Sequence, residues 1–256
     1  MGLCRFLCLK RCLGALSLML PGLAWAASDS VNLSLSKSIN VFMTEIRYED
    51  REPEQPAFVS RILILGDRMR MDYGQDDQGF ILFDRGAKKV WHVAPSERRL
   101  TGIAGGTAKD VWPKDWKLSQ ESTPSEKGVL TQVRLNGALC VEFKSAPLLK
   151  SEARLLGDFR RMLAANQANA WLGTPDDMRQ PCSLVLDVRA AGVEYSRGLP
   201  LAVRYWDGRS RVYLGHDKRP PRPELFELPE GYSRFVVGDA DQGKAVSRQP
   251  ASSQAR

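Results

Sequence analysis

Short strand-like segments separated by turn residues fill the first half of the sequence, and they constrain the fold more than any other feature. In residues 68–73, the letters RMRMDY alternate charged and apolar side chains. This period of two is typical of a β-strand with one buried face, so we expect the charges to face solvent. Similar segments occupy residues 39–48, 57–65, 68–73, 80–84, 90–94 and 99–103. Their close spacing, with turn residues such as Gly66-Asp67 between them, predicts an antiparallel meander.

The second half continues the strand pattern on either side of one helix. Strands are predicted at residues 129–143, 184–195, 201–206 and 209–215, and Asp207-Gly208 predicts a tight hairpin turn. The helix is predicted from a stripe at a 3.6-residue period, formed by Leu148, Leu149, Leu155, Leu156, Phe159, Met162 and Leu163. We expect it to pack on the sheet and to end over Asn166, Asn169, Gly173 and Pro175.

The fold class that follows is mainly β with one long helix. Residues 27–238 can bury one sizeable core, and no compositional linker divides them, so we predict a single domain. Residues 239–256 are polar and rich in Ser, Gln and Ala, which predicts a disordered C-terminal tail.

The N-terminus has the pattern of a cleavable secretory signal. Arg5, Lys10 and Arg11 precede an apolar stretch at residues 12–20, and Pro21-Gly22 breaks that stretch before a small-x-small site at residues 24–26. An uncleaved anchor is the alternative, but a membrane span needs about 20 apolar residues and this stretch is about half as long. Residues 1–26 therefore read as a signal peptide.

Cleavage is expected between Ala26 and Ala27. A lipoprotein would carry a cysteine immediately after the cut, so Ala27 indicates a periplasmic protein that is not a lipoprotein and has no transmembrane span in its mature form. Two cysteines remain, Cys140 and Cys182. An even pair in an oxidising compartment predicts one disulfide between them.

The charge of the mature chain does not indicate nucleic-acid binding. The signal removes three of the 37 Lys and Arg residues, so the net charge of +7 falls to +4. The closest basic clusters, Lys88-Lys89 and Arg98-Arg99, lie beside turn residues and are interpreted as solvated. Binding to anionic lipid headgroups remains compatible with this charge.

The sequence contains few of the residue patterns that are typical of enzyme active sites. His92 and His216 are the only histidines, and neither belongs to a zinc-binding spacing. A nucleophile elbow of the Gly-x-Ser-x-Gly type is also missing from the sequence. We therefore predict no catalytic residues, no metal site, no cofactor and no enzyme activity.

Trp112 and Trp116 stand four residues apart around a proline. Loops seldom expose two indole rings, so we expect both rings to be covered. They either plug one open end of the sheet as core, or form a lid over a ligand cavity or a patch that docks a partner.

Several segments resemble the central strands of the LolA-like superfamily, which includes outer-membrane lipoprotein carriers and uncharacterised exported bacterial proteins. The resemblance is carried by residues 66–73, 80–84, 89–93 and 99–100, by the cysteine-bearing segment at 139–141 and by the letters FELPEGY at 226–232. It spans residues 39–237 and is nearest to the uncharacterised members. Arg70 matches the arginine of the carriers' strand motif, although Met71 follows it where an aromatic residue is usual.

The resemblance implies an incomplete antiparallel β-barrel wrapped around a helix, with an apolar cavity that in the carriers receives acyl chains. The leading hypothesis is an exported, non-enzymatic protein that binds an acyl chain, a lipid or a lipid-bearing envelope protein. The alternative is a structural or accessory protein that docks an envelope partner without a ligand. The candidate cavity wall, taken from the alternation of strands and helix, is Met69, Met71, Tyr73, Phe83, Trp91, Leu156 and Phe159.

Overall fold

The computed structural model describes residues 42–107 and 110–237. The predicted signal peptide, its cleavage site and the predicted tail at residues 239–256 lie outside the described residues. Among the residues described, no helix is both long enough and apolar enough to span a membrane.

A single open sheet dominates the described part of the chain. Its strands are β1 (Met43–Arg51), β2 (Phe58–Leu65), β3 (Arg68–Asp72), β4 (Phe80–Asp84), β5 (Lys89–Ala94), β6 (Arg99–Ala104), β7 (Leu118–Ser125), β8 (Gly128–Leu135), β9 (Ala138–Ala146), β10 (Leu199–Tyr205), β11 (Ser210–Arg219) and β12 (Ser233–Val237). Across the sheet the order is β12, β6, β5, β4, β3, β2, β1, β11, β10, β9, β8 and β7. Since β12 and β7 do not pair, the sheet stays open. The predicted fold class, mainly β with one long helix, is confirmed.

The first six strands form the predicted antiparallel meander, each pairing with the next one along the chain. Strand β1 then pairs antiparallel with β11, and this pairing joins the two halves of the sheet. The register of β1 and β11 shifts between Arg47 and Tyr48, a β-bulge. Bulges increase the local twist and bend of a strand, so this one helps the sheet to curve.

The strand predictions after β6 are partly wrong or incomplete. Residues 129–143 form two strands rather than one, because Asn136 and Gly137 both adopt positive φ and make a tight turn. Strands β7 and β12 were not predicted. Strand β12 pairs parallel with β6, so the sheet is not antiparallel throughout.

The long helix, α1 (Lys150–Leu172), ends within the stretch predicted for its end, residues 166–175. It continues through Asn166 and Asn169, and Gly173 caps its C-terminus. The side-chain amide of Asn166 donates to the carbonyl oxygen of Ala104 at 3.1 Å. This contact with the end of β6 offsets the low helix propensity of asparagine.

The predicted strand at residues 184–195 is also wrong. The chain there forms a short helix, α2 (Pro181–Leu184), followed by a π-helical turn (Val185–Arg189) and a 3₁₀ turn (Val193–Tyr195). Pro181 occupies the first turn of α2, where a missing amide hydrogen costs nothing. Leu184 and Val185 are fully buried, and a short apolar run of this kind is equally compatible with a buried strand and a buried helix.

The concave face of the sheet and α1 share the main apolar core. Ile46, Ile62 and Met69 contribute from the sheet, and Leu156 and Phe159 contribute from the helix. Each of these side chains is almost completely buried. The amphipathic stripe predicted for the helix therefore packs on the sheet as expected.

Part of the convex face of the sheet is buried as well, and this corrects the prediction that the charged side chains of β3 face solvent. A 3₁₀ turn (Pro223–Phe226) lies across this face and packs Leu225 and Phe226 against a second apolar cluster. Arg70 and Asp72 beneath the turn are only 2% and 3% exposed. Alternation in β3 cannot reveal a covering segment about 150 residues further along the chain.

Cys140 and Cys182 form the predicted disulfide, with their Cα atoms 5.1 Å apart. Cys140 lies in β9, but Cys182 lies in α2 rather than in a strand as predicted. The bridge thus joins the sheet to the helical segment after α1. It belongs to a third apolar cluster with Val133, Val141 and Phe143.

Candidate functional site

A cleft opens between α1 and the concave face of the sheet. Its cavity volume is about 140 Å³. The walls come from the sheet, from α1, from the π-helical turn and from the 3₁₀ turn that follows it. The apolar and aromatic side chains of the walls include Phe58, Met71, Tyr73, Ile81, Leu156, Phe159, Leu186, Tyr195 and Tyr205.

Four of the seven predicted wall residues line this cleft. Met71 and Tyr73 reach it from β3 and the residue after β3, and Leu156 and Phe159 reach it from α1. The ring of Tyr73 packs edge-on against Phe58, with centroids 5.5 Å apart. These four side chains therefore share one cleft, and their role in binding a ligand stays a prediction.

Met69 and Phe83 lie in the same core but outside the cleft lining. Met69 is fully buried, and Phe83 is 2% exposed with its ring centroid 5.6 Å from that of Phe159. Both side chains fill the space between the sheet and the helix, behind the cleft. They support its wall rather than form its surface.

Trp91 lies on the opposite face of the sheet, which corrects its placement in the cavity wall. Val90, its neighbour in β5, belongs to the core beneath α1, while Trp91 packs with the convex-face cluster. A side chain at Gly102 would lie 2.7 Å from the indole ring, so glycine there makes room for Trp91. Successive strand residues point to opposite faces, and the prediction chose the wrong one of the two.

A paired arginine sits at the polar end of the cleft. Arg160 of α1 lies 3.0 Å from Asp187 and 3.6 Å from Glu194. Burial lowers the pKa of Arg160, but the two carboxylates outweigh burial and raise that pKa. The guanidinium therefore stays charged, and its charge is matched inside the protein.

A second charge pair lies on the sheet side of the same end. Arg211 donates to both carboxylate oxygens of Asp50, at 2.6 and 3.0 Å, and Ser60 donates to Asp50 at 2.6 Å. Burial lowers the pKa of Arg211, whereas the nearby Asp50 raises it, and the net shift is upward. This two-point pairing fixes the side chains on β11, β1 and β2.

The phenols in the cleft are held neutral. Burial raises the pKa of Tyr195 and of Tyr205, and the nearby charge of Glu194 contributes in the same direction for both. His92 also lines the cleft, and burial followed by the charge of Arg99 lowers its pKa. At neutral pH these groups can offer hydrogen bonds without adding charge.

Residues 42–107 and 110–237 contain no group of three or more His, Cys, Asp or Glu side chains that could hold a metal ion. The other histidine, His216, contacts the hydroxyl of Tyr213 on the same strand. Four of the five acidic residues that line the cleft, Asp50, Asp72, Asp187 and Glu194, pair with arginines.

Trp112 and Trp116 do not line the cleft. Their rings pack edge-on with centroids 5.4 Å apart, and the ring of Trp116 lies 6.3 Å from that of Trp171 near the end of α1. Both pack, partly buried, against the cluster that contains the disulfide. This placement agrees with indoles that plug one end of the sheet, and docking of a partner there stays a prediction.

Arg70, which the family resemblance singled out, lies on the convex face away from the cleft. It donates to Asp72 at 2.7 Å and to the carbonyl oxygens of Asp76 and Leu225 at 2.8 and 3.2 Å. Its guanidinium also stacks over the ring of Phe80 at 3.7 Å. These contacts give Arg70 a structural role.

Sequence reasoning missed the polar end of the cleft. Arg160 was not among the predicted site residues, and Tyr195 was placed on a strand that does not exist. The signal that could have located Arg160 is its position four residues after Leu156 and next to Phe159, on the edge of the apolar stripe. The acidic partners, Asp187 and Glu194, come from turns whose geometry sequence patterns do not specify.

Comparison with known proteins yields no family. No family model matches the chain, and no curated protein matches its sequence. Two crystal forms of PNGF-II align with a TM-score of 0.36 and 10% identity over 77% and 76% of this chain, which spans only 32% and 31% of their length. A LolA superfamily protein from Nitrosomonas europaea aligns with a TM-score of 0.28 and 8% identity over 74% of this chain and 90% of its own. Similarity this low does not assign the chain to a family or a function.

Proposed function

We propose that this protein is an exported, non-enzymatic binding protein whose cleft beneath α1 takes an acyl chain or the lipid moiety of an envelope partner. The observation that carries the proposal is the cleft itself, with adaptable apolar walls next to a polar end whose charges are already paired. The disulfide between Cys140 and Cys182 supports an oxidising, extracytoplasmic compartment.

The chemistry of the walls supports an apolar ligand. Arg160 and Arg211 each have carboxylate partners, so the polar end does not need a charged ligand to neutralise it. The lining also contains aromatic and aliphatic side chains such as Phe58, Met71 and Leu156, and burial of apolar surface favours association by about 0.8 kcal/mol for each methylene group. Met71 adds an unbranched, polarisable thioether, which adapts to contents of irregular shape.

The size of the cleft limits what it can hold without rearrangement. A volume of about 140 Å³ lies below the roughly 300–1,000 Å³ of typical small-molecule sites. The end of an acyl chain fits this volume, and a longer chain requires α1 to move away from the sheet. The proposal therefore includes an opening of the cleft on binding.

Titration with a fluorescent fatty acid tests the proposal. The test variant is Met71→Trp, which fills the cleft without removing apolar surface. The matched control is Met178→Trp, because Met178 is 54% exposed and lies outside the cleft. We expect saturable binding to the wild type and the control, and at least a tenfold loss of affinity in Met71→Trp with the melting temperature retained.

The second candidate function is docking of an envelope partner without a ligand. The observation that favours it is the edge strand β12, where Phe235, Val236 and Val237 are all more than half exposed. An exposed apolar edge can pair with a strand of another chain. Failure of both the wild type and Met178→Trp to bind the fatty acid would reject the cleft proposal and leave docking as the better account.

A further inference from the structure

A second concave site lies along α1, between the helix and the loop around the 3₁₀ turn (Val193–Tyr195). Its volume is about 500 Å³, and four of its lining residues are basic: Lys150, Arg154, Arg161 and Arg197. No acidic residue lines it. We call these four side chains and the hollow between them the basic groove.

Two elements bring the four cations together. Lys150, Arg154 and Arg161 lie on one side of α1, since they stand four and then seven residues apart. Arg197 follows the 3₁₀ turn (Val193–Tyr195), and the loop around that turn forms the opposite wall. The four cations therefore come together through the packing of a loop on a helix, and they are not neighbours in sequence.

A contact between two glycines sets the width of the groove. Gly192 adopts a φ of +77°, and a side chain there would lie 2.8 Å from the carbonyl oxygen of Gly157. The loop backbone therefore rests directly on the helix backbone, and any other residue at position 192 would push the loop away. The guanidinium of Arg161 lies over Gly157, 3.2 Å from where a side-chain carbon would stand.

Three of the four cations have no partner. The side chains of Lys150, Arg154 and Arg197 make no ion pair or hydrogen bond with any residue in the described ranges, whereas Arg161 pairs with Asp158 at 2.6 Å. All four are exposed to solvent. Their charges are thus available to a ligand.

The placement of these charges opposes the stability of the fold. Lys150 is the first residue of α1 and Arg154 is in its second turn, where the positive end of the helix dipole repels cations. Like charges four residues apart on a helix also repel each other. Folding alone does not account for this arrangement, but a bound anion would reverse both effects.

We propose that the basic groove binds a phosphate group, either free or as the headgroup of an anionic lipid. Guanidinium groups match the oxygens of phosphate with two parallel hydrogen bonds, and the start of a helix adds a favourable dipole for an anion. The concave shape suits a compact anion better than an extended acidic peptide. The groove shares Tyr195 with the wall of the cleft, but the proposal does not depend on the function proposed for the cleft.

The test compares two triple variants of the full mature protein. Lys150→Gln/Arg154→Gln/Arg197→Gln removes the three unpaired cations. Lys89→Gln/Lys114→Gln/Lys127→Gln removes the same charge from exposed positions outside the groove. The probes are inorganic phosphate, measured by calorimetry, and phosphatidylcholine vesicles with or without phosphatidylglycerol, measured by co-sedimentation.

We expect the wild type and the surface control to bind at least one of the phosphate probes. The groove variant should bind that probe roughly a hundredfold more weakly, because each basic residue contributes about a fivefold gain in affinity near an anionic surface. Binding of inorganic phosphate identifies a soluble ligand, while binding only to vesicles with phosphatidylglycerol identifies a lipid headgroup. Absence of wild-type binding to either probe would overturn the proposal. An equal loss of affinity in both triple variants would overturn it as well.

Discussion

Arg70 donates a hydrogen bond from Nη1 to the carbonyl oxygen of Leu225 at 3.2 Å, across 155 residues of sequence. The bond fastens the 3₁₀ turn (Pro223–Phe226) to β3 on the convex face of the sheet. A charged residue thereby becomes part of a buried layer, which explains why both faces of a strand with alternating charges are covered.

Replacement of Arg70 by methionine is expected to destabilise the protein. The change removes the anchor of the 3₁₀ turn and leaves the buried Asp72 with Arg61 and the backbone amide of Gly74 as its remaining partners. Loss of one partner from a buried charge pair costs about 3–5 kcal/mol, and the retained bonds from Arg61 point to the lower end. Urea unfolding should show a loss of about 3 kcal/mol. Arg68→Met on the same strand, where the side chain is 41% exposed, should lose less than about 1 kcal/mol; equal losses would contradict the role given to Arg70.

Glu152 makes the stability of the fold depend on pH. Burial raises the pKa of Glu152, but hydrogen bonds from Ser151, Lys218, its own backbone amide and Thr44 lower that pKa by more. The net effect is a pKa lowered from 4.5 to about 2. A pKa that is lower in the folded state stabilises the protein above the unfolded value of 4.5, and this contribution declines as pH falls from 4.5 towards 2. Glu152→Gln should therefore cost about 1–3 kcal/mol at pH 7.

The same comparison at low pH is the control. At about pH 2 the difference between the wild type and Glu152→Gln should be much smaller than at pH 7, since the carboxyl is then protonated in the unfolded state and about half protonated in the folded state. A difference that does not change between pH 7 and pH 2 would mean that the ionised form of Glu152 does not stabilise the link from α1 to β1 and β11.

The disulfide should supply a large share of the stability of the domain. Cys140 and Cys182 are 42 residues apart, and closing a loop of that length limits the unfolded chain by about 4 kcal/mol in the entropic model. Cys140→Ala/Cys182→Ala should lose about this amount in guanidinium unfolding, and reduced wild-type protein should behave in the same way. Two alkylatable thiols in freshly purified native protein would contradict the prediction.

Export predicts a defined start for the mature chain. The intact mass of protein recovered from the periplasm should correspond to a chain that begins at Ala27. Replacing Ala24 and Ala26 with bulkier residues should block cleavage, because signal peptidase sites require small side chains at these positions. Recovery of a chain that retains residues 1–26 in the soluble fraction would contradict the assigned signal.

The sequence predicts elements well where local pattern and tertiary packing agree. Strand β4 has its predicted bounds, and the stripe of α1 packs on the sheet because Leu156 and Phe159 repeat at the helical period. The apolar pattern predicts the wrong element after Pro181. The chain there is helical and packs against α1, whereas the pattern predicted a strand. Periodicity identifies a buried face but not the element that buries it.

The candidate site, too, could be predicted only where local sequence patterns determine it. The alternation in β3 places Met71 and Tyr73 on the concave face of the sheet, where both line the cleft. Trp91, in contrast, was placed on the wrong face of its strand. The polar end depends on contacts between residues far apart, such as Arg211 with Asp50 across 161 positions. No local spacing encodes such a pair, so sequence patterns alone could not locate it.

The central claim, that the cleft beneath α1 holds an acyl chain, is tested most directly by native mass spectrometry of protein purified without detergent and then incubated with lipid extract. The account predicts a complex of one protein with one acyl-containing molecule, present in the wild type and in Met178→Trp and lost in Met71→Trp. The bare protein mass in all three samples would contradict it.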